Sequence, residues 1–230
     1  MTDNETERDA ARITRRWPWI SSIVAVLLVA GLGTLIFVRG NLPSEVDSEW
    51  MEEIVEHRSP WWQAPAMLMN NVGGGTLGVF VVPLLIIAVF CFFRRYTSAL
   101  YFLIATVLSA ALVQLLKNIF ERPRPEDILV VSDIGSFPSG HSANAATMAV
   151  VLGFILRRTW VWVAGIIYTV AMVLSRTYLG AHWISDTIGG VVLGAAVAVI
   201  VWAPFAHRLH QERNSPPRPL IGGRKQALPR

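Results

Sequence analysis

The 230-residue sequence contains one cysteine, Cys91, and few charged residues. A single cysteine excludes an internal disulfide framework and a cysteine-rich metal site. Charged residues make up 16% of the chain, whereas an ordinary soluble protein contains about 25%. Hydrophobic residues make up 53%, a proportion that excludes an intrinsically disordered chain. The composition therefore indicates neither an ordinary soluble domain nor a disordered protein.

Long apolar runs are abundant instead, and six of them approach the length of a membrane span. A helix needs about 20 apolar residues to cross a bilayer, because unpaired backbone groups are too costly in lipid. The six stretches are residues 19–38, 72–93, 99–116, 143–156, 160–174 and 188–205. The fourth and fifth are short, and they reach full length only by extending into the polar residues 139–142 and 175–178. We predict an all-α fold, an integral membrane bundle of six transmembrane helices.

The first stretch has an alternative interpretation as a cleaved signal peptide, because arginines precede it. Its apolar run is too long for such a peptide and no small-residue cleavage site precedes Arg39, so a membrane anchor is favoured. Between the first two stretches, Ser44–Asp47 resembles a capping box. Apolar residues then recur at helical spacing beside glutamates. This pattern predicts a short amphipathic helix on the outer membrane surface.

The distribution of Lys and Arg predicts the orientation. With the amino terminus inside, the inner segments hold 14 of these residues and the outer segments hold six. The outer ones are Arg39, Arg58, Lys117, Arg122, Arg124 and Arg176. Since short cytoplasmic loops are rich in Lys and Arg, both termini are expected in the cytoplasm, and no nucleic-acid partner is expected from the net charge of +4.

Three segments follow from this topology. Residues 1–18 form a cytoplasmic amino-terminal segment, and residues 19–206 form the membrane domain. Residues 207–230 form a cytoplasmic tail that is rich in Pro, Arg and Gly and is expected to be disordered. The oligomeric state is not indicated by any of these features.

Cations and histidines gather on the outer side, where cations are expected to be scarce. They are Lys117, Arg124, His141, Arg176 and His182, with Ser139-Gly140 before a predicted helix and Asp186 after His182. Cations and the free N–H groups of a helix start bind anions, and a phosphate fits such a site well. A carboxylate four residues after a histidine on one helix can fix the imidazole tautomer and leave the other nitrogen free to attack. The second histidine can serve as a general acid.

Each of these residues has a simpler interpretation when it is taken alone. Lys117, Arg124 and Arg176 could be membrane-edge cations, and Ser139 could only cap a helix. The histidine and the aspartate of the last span could be structural. Their convergence on one side favours a phosphate site. The other histidines have no such neighbours and are expected at the surface: His57, His207 and His210.

Together these residues resemble the three-part signature of the type 2 phosphatidic acid phosphatase superfamily, which includes the vanadium haloperoxidases. The parts are Lys117-x6-Arg124-Pro125, Pro138-Ser139-Gly140-His141 and Ser175-Arg176-x5-His182-x3-Asp186. The signature covers residues 117–186, and the six-span layout extends the resemblance to residues 19–206. The resemblance implies that His182 is the nucleophile and forms a phosphohistidine, that Asp186 orients it, and that His141 protonates the leaving group. It also implies a set of groups that hold the phosphoryl oxygens: Lys117, Arg124, Ser139, Gly140 and Arg176. It implies no metal and no cofactor.

The sequence therefore predicts a lipid phosphate phosphatase of the plasma membrane whose active site faces outside. Its expected partners are membrane lipids and a lipid substrate: phosphatidic acid, phosphatidylglycerol phosphate, or undecaprenyl or another polyprenyl diphosphate. A lipid phosphotransferase would use the same phosphohistidine. A transporter would place its charges near mid-membrane on broken helices, and a haloperoxidase is usually a soluble helical protein. The transporter and the haloperoxidase are therefore less favoured than a lipid phosphatase.

Overall fold

The computed structural model describes residues 16–131 and 135–214, which form eight α-helices and one π-helical segment. The α-helices are α1 (Trp17–Val38), α2 (Glu45–Glu56), α3 (Pro60–Gly73), α4 (Val82–Phe92), α5 (Tyr96–Phe120), α6 (Gly140–Leu156), α7 (Thr159–Tyr178) and α8 (Ile184–Asn214). The π-helical segment, Leu77–Val81, leads directly into α4. No strand occurs within the described residues, so the predicted all-α class is confirmed.

Four of the helices are long and apolar enough to cross a membrane, namely α1, α5, α7 and α8. A fifth candidate is the pair formed by α3 and Leu77–Phe92, which is bent by 46° at a short break. Helix α6 is apolar but shorter, with 17 residues. Length and composition thus give four or five candidate spans in the described chain, and a count of six requires α6 as well.

The second predicted span, residues 72–93, is wrong as a single continuous helix. Helix α3 begins at Pro60 and ends at Gly73, and the chain bends before Leu77. The bend falls on three consecutive glycines, of which Gly75 has a φ of +55°, a conformation that glycine adopts without steric cost. The expected apolar run is therefore divided between two helices.

The predicted short helix between the first two stretches is present as α2 (Glu45–Glu56). Its capping box is formed as expected, since the Asp47 amide donates to Ser44 Oγ and the Ser44 amide donates to Asp47 Oδ2, each at 3.2 Å. The Asp47 side chain is nevertheless buried, with a relative exposure of 1%. This residue therefore has contacts beyond the local cap.

Helix α8 is the centre of the bundle and packs against α1, α5, α6 and α7. Its contact with α6 is especially close at Gly190 and Gly194. A Cβ on Gly190 would overlap the carbonyl oxygen of Ser139, and a Cβ on Gly194 would overlap that of Ala143. Small residues four apart allow such backbone approach between membrane helices. The first turns of α6 and α8 are held together as a result.

The predicted tail must be corrected, because α8 continues to Asn214. Residues 207–214 are therefore helical, whereas residues 215–230 lie outside the described residues, as do residues 1–15 of the predicted amino-terminal segment. The carboxylate of Glu212 accepts hydrogen bonds from the amides of Thr97 and Ser98 at 2.7 and 3.0 Å. These amides begin α5 and have no partner within their own helix, so the contact stabilises both helix ends.

One end of the bundle gathers arginines and tryptophans, and the other end holds the candidate site residues. At one end, Arg213 interacts electrostatically with Arg157 and Arg95, and the rings of Trp17 and Trp202 are 6.5 Å apart. The start of α1, the start of α5 and the end of α8 therefore lie together. The outer residues of the sequence analysis lie at the opposite end, after α5 and before α8.

Candidate active site

His182 lies in the connection between α7 and α8 and is 2% exposed. Arg124 approaches it from the segment after α5. Its Nη1 lies 3.3 Å from His182 Nε2 and donates to the carbonyl oxygen of Ala181 at 2.5 Å. Its Nη2 donates to the carbonyl oxygen of Gly135 at 3.0 Å, and Lys117 Nζ donates to the same oxygen at 2.6 Å. One shared carbonyl thus holds two of the predicted cations near the histidine.

The surroundings of His182 favour its neutral form. Burial lowers the pKa of His182 well below its ordinary value of 6.5, and four neighbouring charged groups lower it further. These groups are Arg176, Arg124, Lys117 and His141. A neutral imidazole retains the lone pair that a nucleophile requires.

Asp186 is buried in the first turn of α8, four residues after His182. Its Oδ2 lies 3.7 Å from His182 Nδ1 and accepts a hydrogen bond from the Trp183 amide at 2.9 Å. A distance of 3.7 Å is too long for a hydrogen bond, and Nδ1 makes none with the described residues. The two side chains are therefore close without being bonded. Catalytic hydrogen bonds often tighten only when substrate binds.

The closest partner of Asp186 is Arg122, which the sequence analysis counted only among the outer cations. Its Nη1 donates to Asp186 Oδ1 at 2.5 Å and to Ser185 Oγ at 2.8 Å, and its Nη2 donates to Asp47 Oδ2 at 2.9 Å. Arg122 is 1% exposed. Glu121, with a φ of +43°, caps the carboxyl end of α5 just before it. The sequence offers an arginine next to the motif as a signal but gives no indication of its partners.

Ser139 and Gly140 begin α6, as the predicted anion site requires. Ser139 Oγ accepts hydrogen bonds from the amide and the hydroxyl of Ser142 at 3.4 and 3.1 Å. The Ser139 amide donates to the carbonyl oxygen of Asp186 at 2.9 Å. The peptide bond between Phe137 and Pro138 is cis. The start of α6 thus lies beside the start of α8.

His141 and Arg176 are linked by Asn70 of α3. His141 Nε2 lies 3.2 Å from the carbonyl oxygen of Asn70, and Arg176 Nη1 donates to the side-chain oxygen of Asn70. The sequence analysis missed Asn70 because it began the second span at residue 72. A pair of asparagines, Asn70 and Asn71, beside an apolar run was the available signal.

A cavity of about 710 Å³ extends from this cluster between the bent helix pair, α5 and α6. Lys117, Gly140, His141 and His182 line one part of it. Much of the remaining wall is apolar and includes Val79, Phe80, Leu84, Ile87, Leu103 and Val107. The eight predicted site residues therefore gather around the starts of α6 and α8, and an apolar cavity opens from them.

Comparisons with known proteins identify the family of the chain. Residues 98–209 match the PAP2 superfamily. YbjG of Escherichia coli (strain K12), provisionally named an undecaprenyl-diphosphatase, is 30% identical over 153 residues, which cover 60% of this chain and 74% of that protein. The chain belongs to the PAP2 superfamily. The resemblance seen in the sequence is confirmed.

Two further matches, both to Bacillus subtilis, cover more of the chain. Phosphatidylglycerophosphatase B of Bacillus subtilis (strain 168) is 28% identical over 176 residues, which cover 71% of this chain and 85% of that protein. The crystal structure of a transmembrane PAP2-type phosphatidylglycerolphosphate phosphatase from Bacillus subtilis superposes with a TM-score of 0.67 at 27% identity. It covers 86% of this chain and 99% of that one. The chain is thus a multi-pass membrane protein of a family of phosphatases, which hydrolyse lipid phosphate esters.

Proposed function

We propose that this protein is a membrane lipid phosphate phosphatase that acts through a phosphohistidine on His182. The observation that supports this most directly is the position of the charged cluster at an apolar cavity of about 710 Å³. A phosphate bound by the cations would leave room for its hydrocarbon chain in the cavity or in the adjoining lipid. A soluble phosphate ester would gain nothing from such apolar walls.

In the first step, His182 Nε2 attacks phosphorus and the bond to the leaving oxygen breaks. His141 donates a proton to that oxygen. Nε2 is the nitrogen that lies 3.3 Å from Arg124, so the transferred group would form beside a guanidinium. Lys117 and Arg176, together with Ser139 and the Gly140 amide, hold the other phosphoryl oxygens and stabilise their charge.

In the second step, water attacks the phosphohistidine and His141 accepts the proton of that water. The N–P bond breaks, inorganic phosphate leaves and His182 returns to its neutral form. Asp186 lies beside Nδ1 and stabilises the positive charge that the ring carries between the two steps. All of these groups come from the protein chain, and the proposed step includes no metal.

The proposal also includes the number of membrane spans and their orientation. Six spans arise if the bent pair counts as one span and α6 as another. Both termini then lie in the cytoplasm, with residues 1–18 and 207–230, and the active site faces the outside of the plasma membrane. The grouping of Arg95, Arg157 and Arg213 at the opposite end of the bundle supports this orientation under the positive-inside rule.

The proposed substrates are phosphatidylglycerol phosphate, undecaprenyl or another polyprenyl diphosphate, and phosphatidic acid. The names of the Bacillus subtilis and Escherichia coli relatives support the first two. The test is release of inorganic phosphate from each lipid by the purified protein in detergent, with EDTA present. We expect release from at least one lipid and inhibition by orthovanadate, which mimics a transferring phosphoryl group.

Two results would contradict the proposal. Strict dependence of the chemical step on added Mg²⁺ would exclude the metal-free mechanism. Transfer of the phosphoryl group to a second lipid, with no free phosphate, would identify a phosphotransferase instead.

A further inference from the structure

We propose that Arg122 and Asp47 are positioning residues that hold the Asp186 carboxylate for His182, so that the docking of α2 supports catalysis. This inference rests on the proposed role of His182 as the nucleophile. The three residues Asp47, Arg122 and Asp186 are called the buried charge network below. They come from α2, from the segment after α5 and from α8, and they meet beside the active site.

The network is buried almost completely. The relative exposures of Asp47, Arg122 and Asp186 are 1%, 1% and 0%. Burying charges is costly, and a buried pair recovers that cost only with close geometry and additional hydrogen bonds. Both are present here, because Arg122 bonds one carboxylate with each terminal nitrogen, at 2.5 and 2.9 Å.

The two oxygens of Asp186 have separate partners. Oδ1 accepts from Arg122, whereas Oδ2 accepts from the Trp183 amide at 2.9 Å and lies 3.7 Å from His182 Nδ1. Arg122 and the Trp183 amide therefore fix the rotation of the carboxylate together, with the second oxygen on the side of the imidazole. Without Arg122, Oδ1 would lose its charged partner and the carboxylate would be held less firmly in this orientation.

Asp47 determines the net charge of the buried charge network. Arg122 alone would neutralise Asp186, but a second carboxylate leaves the network with one net negative charge. Burial alone would raise the pKa of Asp47, yet hydrogen bonds from the Ser185 backbone and from Arg122 hold it below its ordinary value, so Asp47 stays charged. When His182 attacks phosphorus its ring becomes positive, and the net negative charge stabilises that state more than the neutral ground state.

Asp47 also holds the backbone that bears Asp186. Its Oδ1 accepts from the Ser185 amide at 3.0 Å, and its Oδ2 accepts from the Ser185 hydroxyl at 2.9 Å. Ser185 directly precedes Asp186 in the first turn of α8. Asp47 thus links α2 to the catalytic segment, and displacement of α2 would remove both a charge and two hydrogen bonds.

The test compares Asp47→Asn and Arg122→Lys with Glu49→Gln, which removes a charge from an exposed position of the same helix. Release of phosphate in detergent micelles, from whichever of the proposed lipids wild type hydrolyses fastest, gives kcat and KM. Inhibition by sulfate, a tetrahedral anion that resembles bound phosphate before the reaction, reports the anion site separately. We expect kcat to fall about 10- to 100-fold in both network variants, as is typical when partners that orient a functional histidine are changed. KM and inhibition by sulfate should stay within about threefold, because the cations that hold phosphate are unchanged. Glu49→Gln should behave as wild type.

The outcomes separate this inference from the proposed function. If wild type and Glu49→Gln are active and both network variants retain kcat within about twofold, the inference is wrong and the proposed function stands. Parallel losses of kcat and sulfate affinity would show general distortion of the site and would also overturn it. A wild-type protein that releases phosphate from none of the lipids would overturn the proposed function itself. Gel filtration checks that each variant is folded. If Asp47→Asn does not fold, the result for Arg122→Lys, which keeps the positive charge, tests the inference by itself.

Discussion

Gly74, at the end of α3, lies directly against the imidazole of His141, so that a Cβ on the glycine would overlap Nε2. The backbone of Gly74 is extended, with φ −144° and ψ −166°, and an alanine could adopt this conformation. Glycine is therefore required at this position because the histidine leaves no room for a Cβ, and not because of the backbone conformation. The break between α3 and the π-helical segment forms one wall beside the proposed general acid.

This relationship predicts the effect of Gly74→Ala. The added methyl group should displace His141 and lower kcat about 10- to 100-fold, within the range that general acid catalysis contributes. The loss should be smaller for an aryl phosphate, whose leaving group needs less protonation. Gly31→Ala is the matched control, because a Cβ on Gly31 meets no atom within 4 Å. Equal losses for alkyl and aryl substrates would argue against a general acid at His141.

His182→Ala should reduce phosphate release about a thousandfold or more, because a covalent route cannot proceed without its nucleophile. The protein should still insert and purify normally. His57→Ala is the control, since His57 is an exposed histidine of the same chain. Activity of His182→Ala within about tenfold of wild type would exclude the assignment of His182 as nucleophile.

The buried, neutral state of His182 predicts a loss of stability in acid. Its pKa in the folded protein is well below 6.5, through burial first and neighbouring cations second. In the unfolded chain the imidazole binds a proton as the pH falls through about 6.5. The unfolded state then holds more protons than the folded state, so the contribution of His182 to stability falls as the pH falls.

The measurement is the Tm of wild type minus the Tm of His182→Gln, followed from pH 8.5 to pH 5.5. This difference should be constant above pH 7.5 and should decrease as the pH falls through 6.5. A difference that increases on acidification would mean that the folded protein raises the pKa of His182, contrary to the burial described here.

The sequence predicted which residues come together better than it predicted their contacts. Lys117, Arg124 and His182 could be found because the signature has fixed spacing, and the extension of short apolar runs into polar residues was correct at Gly140 and at Tyr178. These are local properties of the chain. Helix length and residue spacing can be read without knowing what a residue touches.

Arg122 and Asn70 were missed because their roles depend on distant partners. Asp47 lies 75 residues before Arg122 in the chain, and its capping box already gave it a sufficient local explanation. Asn70 contacts Arg176 across 106 residues. The end of α8 was misjudged for the same reason, since Glu212 is held by the start of α5, 114 residues away at Ser98. Such pairs follow from helix packing, which composition and periodicity do not specify.

The last prediction concerns the side of the membrane on which the site lies. Cysteines at Glu49 and Glu126, in a Cys91→Ser background, should react with an impermeant maleimide in intact cells, because both positions are exposed at the end of the bundle that holds the site. Cysteines at Thr97 and Thr159 lie at the opposite end and should react only after the membrane is opened. The reason is the positive-inside rule, under which Arg95, Arg157 and Arg213 mark the cytoplasmic end. Labelling of Thr97 and Thr159 positions in intact cells, with protection of the other two, would place the active site in the cytoplasm. The substrate would then have to be a lipid phosphate of the inner leaflet.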